Sequence, residues 1–458
     1  MLLRHTPKEI TERGALTINP AKTCQPVGAM YAALGVHRCL PHSHGSQGCC
    51  AYHRSALTRH YDEPIMASTS SFTEGASVFG GMANLLESIN NIFTLYDPDI
   101  IAVNTTCLSE VIGDDLNQII NRAVSENKIP AGKTVLYAST PSFKGSHVTG
   151  YANMLAALAR HFAKNTGNRN GDITILPSFI EPSDMAEIKH ILSGMGIAYI
   201  MYPDTSGVVN APMDGAFRMY PKGGAPREKI IRSGDSRCAL ALGRAGTLEA
   251  ARLLDTKCKV RTEVLELPIG ISATDNFVET LIRTAGVTVP ESLNVERGRL
   301  VDVLCDKAQY VYGKKVSIMG DPDILLGLAR FCADAGMRIL HIVSGTPAGA
   351  EWEKLIKEIA GPGVVVKTGA QADLFYLHQL IQNNKPDILF GNTYCKYIAR
   401  DMDIPLIRTG FPIYDRVGHS YFPITGYRGG LHLLVRILDA VMDRMDRDSP
   451  EESFELVM

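Results

Sequence analysis

Short β-branched and aliphatic runs alternate with segments of helical spacing along most of this chain, and that alternation restricts its fold more than any other feature. Residues 99–107 form such a run and end at a polar turn; Glu110 to Asn127 then set Val111, Ile112, Leu116, Ile119 and Ile120 along one side of a predicted helix. Further strands are expected within residues 134–140, 173–179, 198–203, 315–320, 338–344, 387–391 and 405–409. Strands separated by helices imply parallel βαβ units, in which ligands gather beyond the carboxyl ends of the strands. Cys107 and Ser142 fall at or just past two such ends.

With 458 residues the chain is too long for a single core and suits about three domains. The expectation is an α/β protein with mainly parallel sheets, divided into residues 1–165, 166–295 and 296–458. The Gly- and Pro-rich stretch 202–226 reads as a long surface loop, and the polar span 292–299 as the lead-in to the last run of strand–helix units. Lys and Arg number 46 against 48 Asp and Glu, so the net charge of −2 favours neither nucleic acid nor an anionic membrane as partner. No apolar run approaches the roughly 18 residues a membrane span needs. The start, Met-Leu-Leu-Arg-His-Thr-Pro-Lys-Glu, carries charge within a few residues and lacks the apolar stretch of a secretion signal. Ten cysteines in so long a chain read as thiols, metal ligands or core residues of a reduced, cytoplasmic protein.

Three of those cysteines stand apart. Cys24, in Asn19-Pro-Ala-Lys-Thr-Cys-Gln-Pro-Val-Gly28, and Cys49, in His44-Gly-Ser-Gln-Gly-Cys-Cys50, lie in Gly- and Pro-containing loops; Cys107 ends a strand. Such loops let backbone approach a bulky inorganic group and aim N–H groups at anionic sulfur. Thiolates drawn from separate loops without histidine suit an iron–sulfur cluster. Read singly, each fits a buried small apolar side chain as well. That bland reading covers Cys39, Cys238, Cys258, Cys305, Cys332 and Cys395, and Cys50 reads as packing because neighbours on one loop rarely point the same way. His42, His44 and His147 have no zinc-binding spacing. Gly320-Asp-Pro-Asp-Ile-Leu-Leu-Gly327 lacks the Gly-Lys-Ser/Thr of a P-loop, so ATP is not expected on this chain.

Four stretches in order, Asn19-Pro-Ala-Lys-Thr-Cys-Gln-Pro, His44-Gly-Ser-Gln-Gly-Cys, Ser109-Glu-Val-Ile-Gly-Asp-Asp and Thr140-Pro-Ser-Phe-Lys-Gly-Ser-His-Val-Thr-Gly150, carry a resemblance over essentially the whole chain. It resembles the β subunits of nitrogenase molybdenum–iron proteins, most of all the compact, clostridial type. The resemblance implies three Rossmann-like domains, with a cluster site at the cleft facing an α subunit, and an α2β2 tetramer with an [8Fe-7S] P-cluster at each α–β boundary. Cys24, Cys49 and Cys107 match the β-side ligands, and Ser142 matches a serine that shares the iron of Cys107 in the oxidised cluster. Electrons would arrive from an iron protein driven by ATP and pass to an iron–molybdenum cofactor in the α subunit.

Two secondary sites carry over in the same way. Asp302 and Asp306 stand one helical turn apart in Val301-Asp-Val-Leu-Cys-Asp306, a spacing that by itself suits a solvated face. In the family the matching carboxylates bind calcium or iron(II) between two β subunits, with a carboxylate matching Glu63 and a backbone carbonyl matching Asp62, where relatives often carry Arg. Phe79, in Ser77-Val-Phe-Gly-Gly81, matches an aromatic at the iron protein's docking surface; its bland reading is a core aromatic at a helix start. Two neighbouring readings are a vanadium or iron-only nitrogenase β subunit, whose second and fourth stretches typically differ, and a cofactor-assembly scaffold, against which Ser142 in Thr-Pro-Ser-Phe argues.

Overall fold

The structure, a computed structural model, describes residues 3–10, 13, 18, 22–216 and 218–454. Asn19, Pro20 and Ala21, which open the motif around Cys24, lie outside the described residues. Three parallel sheets form the framework. The first contains β1 (Cys39–His44), β2 (Ser68–Thr69), β3 (Ile100–Thr105) and β4 (Thr134–Ala138), in the order β2-β1-β3-β4. The second contains β5 (Ile173–Leu176), β6 (Tyr199–Met201), β7 (Cys238–Leu242) and β8 (Thr262–Leu265), in the order β6-β5-β7-β8. The third contains β9 (Lys315–Met319), β10 (Arg338–Ser344), β11 (Val365–Thr368), β12 (Ile388–Gly391) and β13 (Leu406–Arg408), in the order β11-β10-β9-β12-β13. Every strand pairing is parallel, as crossover helices require.

Each strand expected from the sequence is present, but five others carry weaker signals. β1 reads Cys-Leu-Pro-His-Ser-His and sits second in its sheet, a place where proline normally breaks the ladder. Here the Pro41 carbonyl faces Ser68 Oγ at 3.4 Å, so the missing N–H points toward the two-residue strand β2 rather than toward β3. The helix expected from Glu110 to Asn127 is two helices, Cys107–Ile112 and Leu116–Ser125. Gly113 breaks them in the left-handed region (φ 83°), and the Asp115 carboxylate then caps the second by accepting from Gln118 N at 3.0 Å. As a result Val111 is exposed while Leu116 and Ile119 are buried.

Among its described residues the stretch 202–226 contains no helix or strand, as expected, yet it is anchored rather than merely superficial. Tyr202, Thr205, Val209 and Ala225 are buried in it. Residues 292–299 lie inside the helix Glu291–Asp306, which precedes the third sheet, and residue 165 follows the helix His147–Phe162 closely. The three sheet units interlock. Near the amino terminus Arg13 grips Asp373 through two hydrogen bonds of 2.9 and 2.8 Å. The carboxy-terminal helix Gly426–Asp448 packs against helices Gly270–Ala285 and Glu291–Asp306, its entry fixed where Asp184 accepts from Ile424 N and Thr425 N at 2.8 and 3.0 Å.

Candidate functional site

Register in the first sheet explains why distant residues meet. His44 lies opposite Thr105 across β1 and β3, and Asn104 lies opposite Ala138 across β3 and β4. The carboxyl ends of these strands are therefore level, and the segments leaving them carry Cys49, Cys107 and Ser142. Each cysteine also stands at a helix start: Cys24 caps Gln25–Leu34, Cys49 is in the first turn of Gln47–Tyr61, and Cys107 opens Cys107–Ile112. Exposed N–H groups and the positive end of the helix dipole favour an anionic ligand there. The sequence suggested loops; the helix starts only become apparent in the fold.

Two glycines bring Cys24 to Ser142. A Cβ on Gly28 would stand 1.8 Å from the His147 carbonyl oxygen, and one on Gly150 would stand 1.9 Å from the Gln25 carbonyl oxygen. Only glycine at both positions lets helices Gln25–Leu34 and His147–Phe162 pack this closely. His147 seals the approach: its N–H donates to Thr23 O at 3.0 Å, its Nδ1 accepts from Thr23 N at 3.3 Å, and its Nε2 donates to Asp321 at 3.0 Å. Gln25 Nε2 donates to the carbonyls of Pro141 (3.1 Å) and Lys144 (2.7 Å), spanning the turn that carries Ser142.

Cys49 and Cys107 are joined through Gly45. A Cβ on Gly45 would come within 1.9 Å of Thr106 Oγ1, and Thr106 Oγ1 donates to His44 O at 3.1 Å. Thr106 N donates to Ser109 Oγ at 3.0 Å, capping the helix of Cys107. Thr105 ties β3 to the segment after β4, since its Oγ1 accepts from Thr140 N (2.6 Å) and its carbonyl accepts from Thr140 Oγ1 (2.7 Å). Glu110 adds a bridge by accepting from both Thr105 Oγ1 and Ser139 Oγ.

The electrostatics record the same gathering. Burial pushes the Cys24 thiol up to about 11, the neighbouring Cys49 adds to the rise, and the amides of Cys24 and Val27 with the Ser142 hydroxyl oppose it. Burial also raises Cys49, and Cys107 reinforces this by its charge and by a hydrogen-bond contact. Cys24 thus lies near Cys49 and Ser142, and Cys49 near Cys107. The three sulfurs do not all lie within 4.8 Å of one another. One tetrahedral ion with metal–sulfur bonds of about 2.3 Å would need sulfurs roughly 3.8 Å apart. Three thiols and a hydroxyl, without histidine and spread wider than a mononuclear centre, fit a polynuclear iron–sulfur group.

The remaining sequence candidates resolve as follows. Cys50 is buried, with Sγ 3.4 Å from Ser68 O, a packing role. His42 lies between Ser68 and Ser70, and His44 Nε2 donates to Asp114 at 3.0 Å, so neither offers a free ligand. Phe79 ends the helix Glu74–Phe79 and is 90% exposed, which removes the reading of a core aromatic at a helix start. Two residues on, Gly81 N donates to the Asp114 carboxylate at 3.0 Å, linking this surface to the segment behind Cys107. Asp62 closes the helix Gln47–Tyr61 in the left-handed region (φ 56°). Glu63 beside it is half-buried and lines a cavity of about 1190 Å³ that none of the cysteines Cys24, Cys49 and Cys107 reaches, apart from the cluster site. Asp302 and Asp306 are exposed at the end of the helix Glu291–Asp306, and Glu63 joins them in no three-ligand group within the chain.

Among the described residues two other groups bring three metal-ligating side chains together, His60–Glu181–His419 and Glu187–His190–Glu296. In the first, His60 Nδ1 accepts from Ile413 N at 2.8 Å, so Nε2 holds the proton and donates to Glu181 at 2.8 Å, leaving no lone pair for an ion. In the second, both Glu187 oxygens accept from Arg428. Neither reads as a metal centre.

A model of the family described as nitrogenase component 1 type oxidoreductase matches residues 24–442. The chain is 50% identical over 458 residues to the nitrogenase molybdenum-iron protein beta chain of Clostridium pasteurianum, covering 100% of both sequences. It is 41% identical to the corresponding beta chain of Frankia alni, covering 97% of this chain and 86% of that one. Among solved structures, nitrogenase Cp1 at pH 6.5 matches with a TM-score of 0.96 and 50% identity over 100% of both chains.

Proposed function

The chain belongs to the nitrogenase component 1 type oxidoreductases, and from that premise we propose that it works as the β subunit of a molybdenum–iron dinitrogenase, relaying electrons from an iron protein toward a cofactor in the α subunit. In this reading Cys24, Cys49, Cys107 and Ser142 hold half of an [8Fe-7S] P-cluster, and thiolates of the α subunit hold the other half. When bound, that cluster supplies reversible one-electron transfer. The observation that carries the reading is the meeting of Cys24 with Cys49 and Ser142, and of Cys49 with Cys107, at the level carboxyl ends of β1, β3 and β4.

This chain's residues contribute in three ways. Helix starts at Cys24, Cys49 and Cys107 present N–H groups that lower the cost of anionic sulfur. Burial around Cys24 excludes water, so nearby dipoles act in a low dielectric. Ser142 offers a hydroxyl that must release its proton to bind iron, and its harder oxygen suits a more oxidised iron than thiolate does. Phe79, with Val78 exposed beside it, serves as the docking point of the iron protein. Asp302 and Asp306 of one β chain, with Glu63 and the Asp62 carbonyl of the other, hold calcium or iron(II) between β subunits of an α2β2 tetramer. The assembly reduces dinitrogen to ammonia in the cytoplasm, using ATP hydrolysed on the iron protein.

Co-expression with an α subunit, purification of the tetramer, iron analysis and Mössbauer and electron paramagnetic resonance spectra test this reading. The expected result is an eight-iron cluster per αβ unit and, in Ser142→Ala, loss of the serine-linked oxidised state with iron content retained. An unchanged redox spectrum in Ser142→Ala would remove Ser142 from the ligand set. A simple four-iron cluster with no acetylene reduction would instead identify an assembly scaffold.

A further inference from the structure

We propose that Gln25 is the positioning residue for Ser142, its side-chain amide fixing the turn after β4 so that the serine hydroxyl stays beside Cys24. The inference rests on the assignment of Cys24 and Ser142 above and deepens it. Gln25 is 2% exposed, and both of its amide N–H groups are committed. Its two N–H hydrogens go to the carbonyls of Pro141 (3.1 Å) and Lys144 (2.7 Å), on either side of Ser142 and Phe143. Its Oε1 accepts from Asn153 Nδ2 at 3.1 Å, and Asn153 Nδ2 also donates to Ser139 O at 3.0 Å. The segment 139–144 is thus held at three carbonyls by two linked side chains.

The grip cannot relax by moving Gln25. Its carbonyl oxygen abuts Gly150, where a Cβ would stand only 1.9 Å away, so the main chain of Gln25 is pinned against the helix His147–Phe162. The turn has one backbone hydrogen bond of its own between these residues, Lys144 N to Pro141 O at 3.2 Å, and Phe143 and Lys144 are exposed. Without the Gln25 amide, the Lys144 carbonyl would lose its donor and the Pro141 carbonyl would keep only Lys144 N, and rotation of the turn toward water would be the simplest remedy. That rotation carries Ser142 away from Cys24. Because Gln25 follows Cys24 directly, a single rigid dipeptide sets both a sulfur and an oxygen.

The test compares the intact tetramer of the parent protein with Ser142→Ala, Gln25→Glu and Gln25→Met. Glu keeps the shape but donates at most one hydrogen bond, and that only when protonated, while Met keeps the bulk and donates nothing, so agreement between them excludes a charge effect. The readouts are iron content, the serine-linked spectroscopic signature of the oxidised state, the pH dependence of its midpoint potential and amide exchange at Lys144. The expected result is iron content near that of the parent, at least tenfold loss of the serine-linked signature in both Gln25 variants, loss of the pH dependence as in Ser142→Ala, and at least tenfold faster exchange at Lys144. A full signature in Gln25→Glu and Gln25→Met, with Ser142→Ala lacking it, would overturn the inference while leaving the ligand assignment intact. A parent protein indistinguishable from Ser142→Ala would overturn both. Should neither Gln25→Glu nor Gln25→Met assemble, Gln25→Asn keeps the amide but draws both N–H groups back by one methylene; a full signature and the parent's exchange rate there would also overturn it.

Discussion

Gly150→Ala isolates the closest backbone approach in the site. The new methyl would lie 1.9 Å from the Gln25 carbonyl oxygen, 2.5 Å from its carbon and 2.8 Å from its Cα, all main-chain atoms that no rotamer change can move. Reaching ordinary contact at 3.4 Å requires helices Gln25–Leu34 and His147–Phe162 to part by about 1.5 Å. Every residue of the first helix is buried, so the displacement spreads into close-packed neighbours. Overpacking of this kind costs about 1–3 kcal/mol, and the gain of up to about 1 kcal/mol from replacing a helical glycine offsets only part of it. Function should suffer more than stability, because the same movement draws Cys24 and Gln25 from Ser142. The matched control is Gly194→Ala, at a helical position where an added Cβ meets nothing within 4 Å, expected to be neutral or slightly stabilising. Thermal unfolding and iron content of the purified tetramers provide the assay. The expectation is a Tm several degrees lower for Gly150→Ala with reduced iron, and an unaltered control. Equal Tm and full iron loading in Gly150→Ala would refute the argument that glycine contact sets the site.

Two further outcomes follow from the same structure. Burial, helped by neighbouring His44, lowers the His42 pKa from its ordinary value to about 3, so the unfolded chain takes up a proton near pH 6.5 that the folded chain refuses. The contribution of His42 is complete above that pH and falls as the pH drops toward 3, by about 2 kcal/mol at pH 5; His42→Asn should therefore narrow the fall in Tm between pH 7 and 5, and an identical fall would count against it. Asp302→Asn and Asp306→Asn should each weaken divalent-cation binding by about tenfold or more and shift the tetramer toward αβ units on chelation, measured by metal analysis and sedimentation; chelation without effect on the parent tetramer would argue against the inter-β site.

Strands with β-branched runs, such as β3, β9 and β10, are legible because apolar periodicity is a local property. β1 is not, since Cys-Leu-Pro-His-Ser-His has neither a strand's composition nor its alternation; its place depends on β3 beside it and on a short neighbour that needs nothing from the Pro41 nitrogen. The Glu110 to Asn127 pattern misleads for a related reason. Val111 has the right spacing to continue the helix, but Gly113 and Asp115 encode a stop and a restart that the apolar pattern overrides on paper. Glu110 and Gln25 went unnoticed because their partners, Ser139 and Thr105, Pro141 and Lys144, are remote or are featureless carbonyls.

From the amino acids alone come the α/β class, the donor atoms and their chemistry: thiols and a hydroxyl on segments that no zinc pattern explains. Those are written in residue type and short-range spacing. Which segments meet is decided by register in a parallel sheet and by glycines where two main chains touch, and the glycine contacts depend on partners more than a hundred residues away for Cys24, Gln25 and the turn of Ser142. Close approach of backbone is a property of pairs of elements, so no window along one of them reports it.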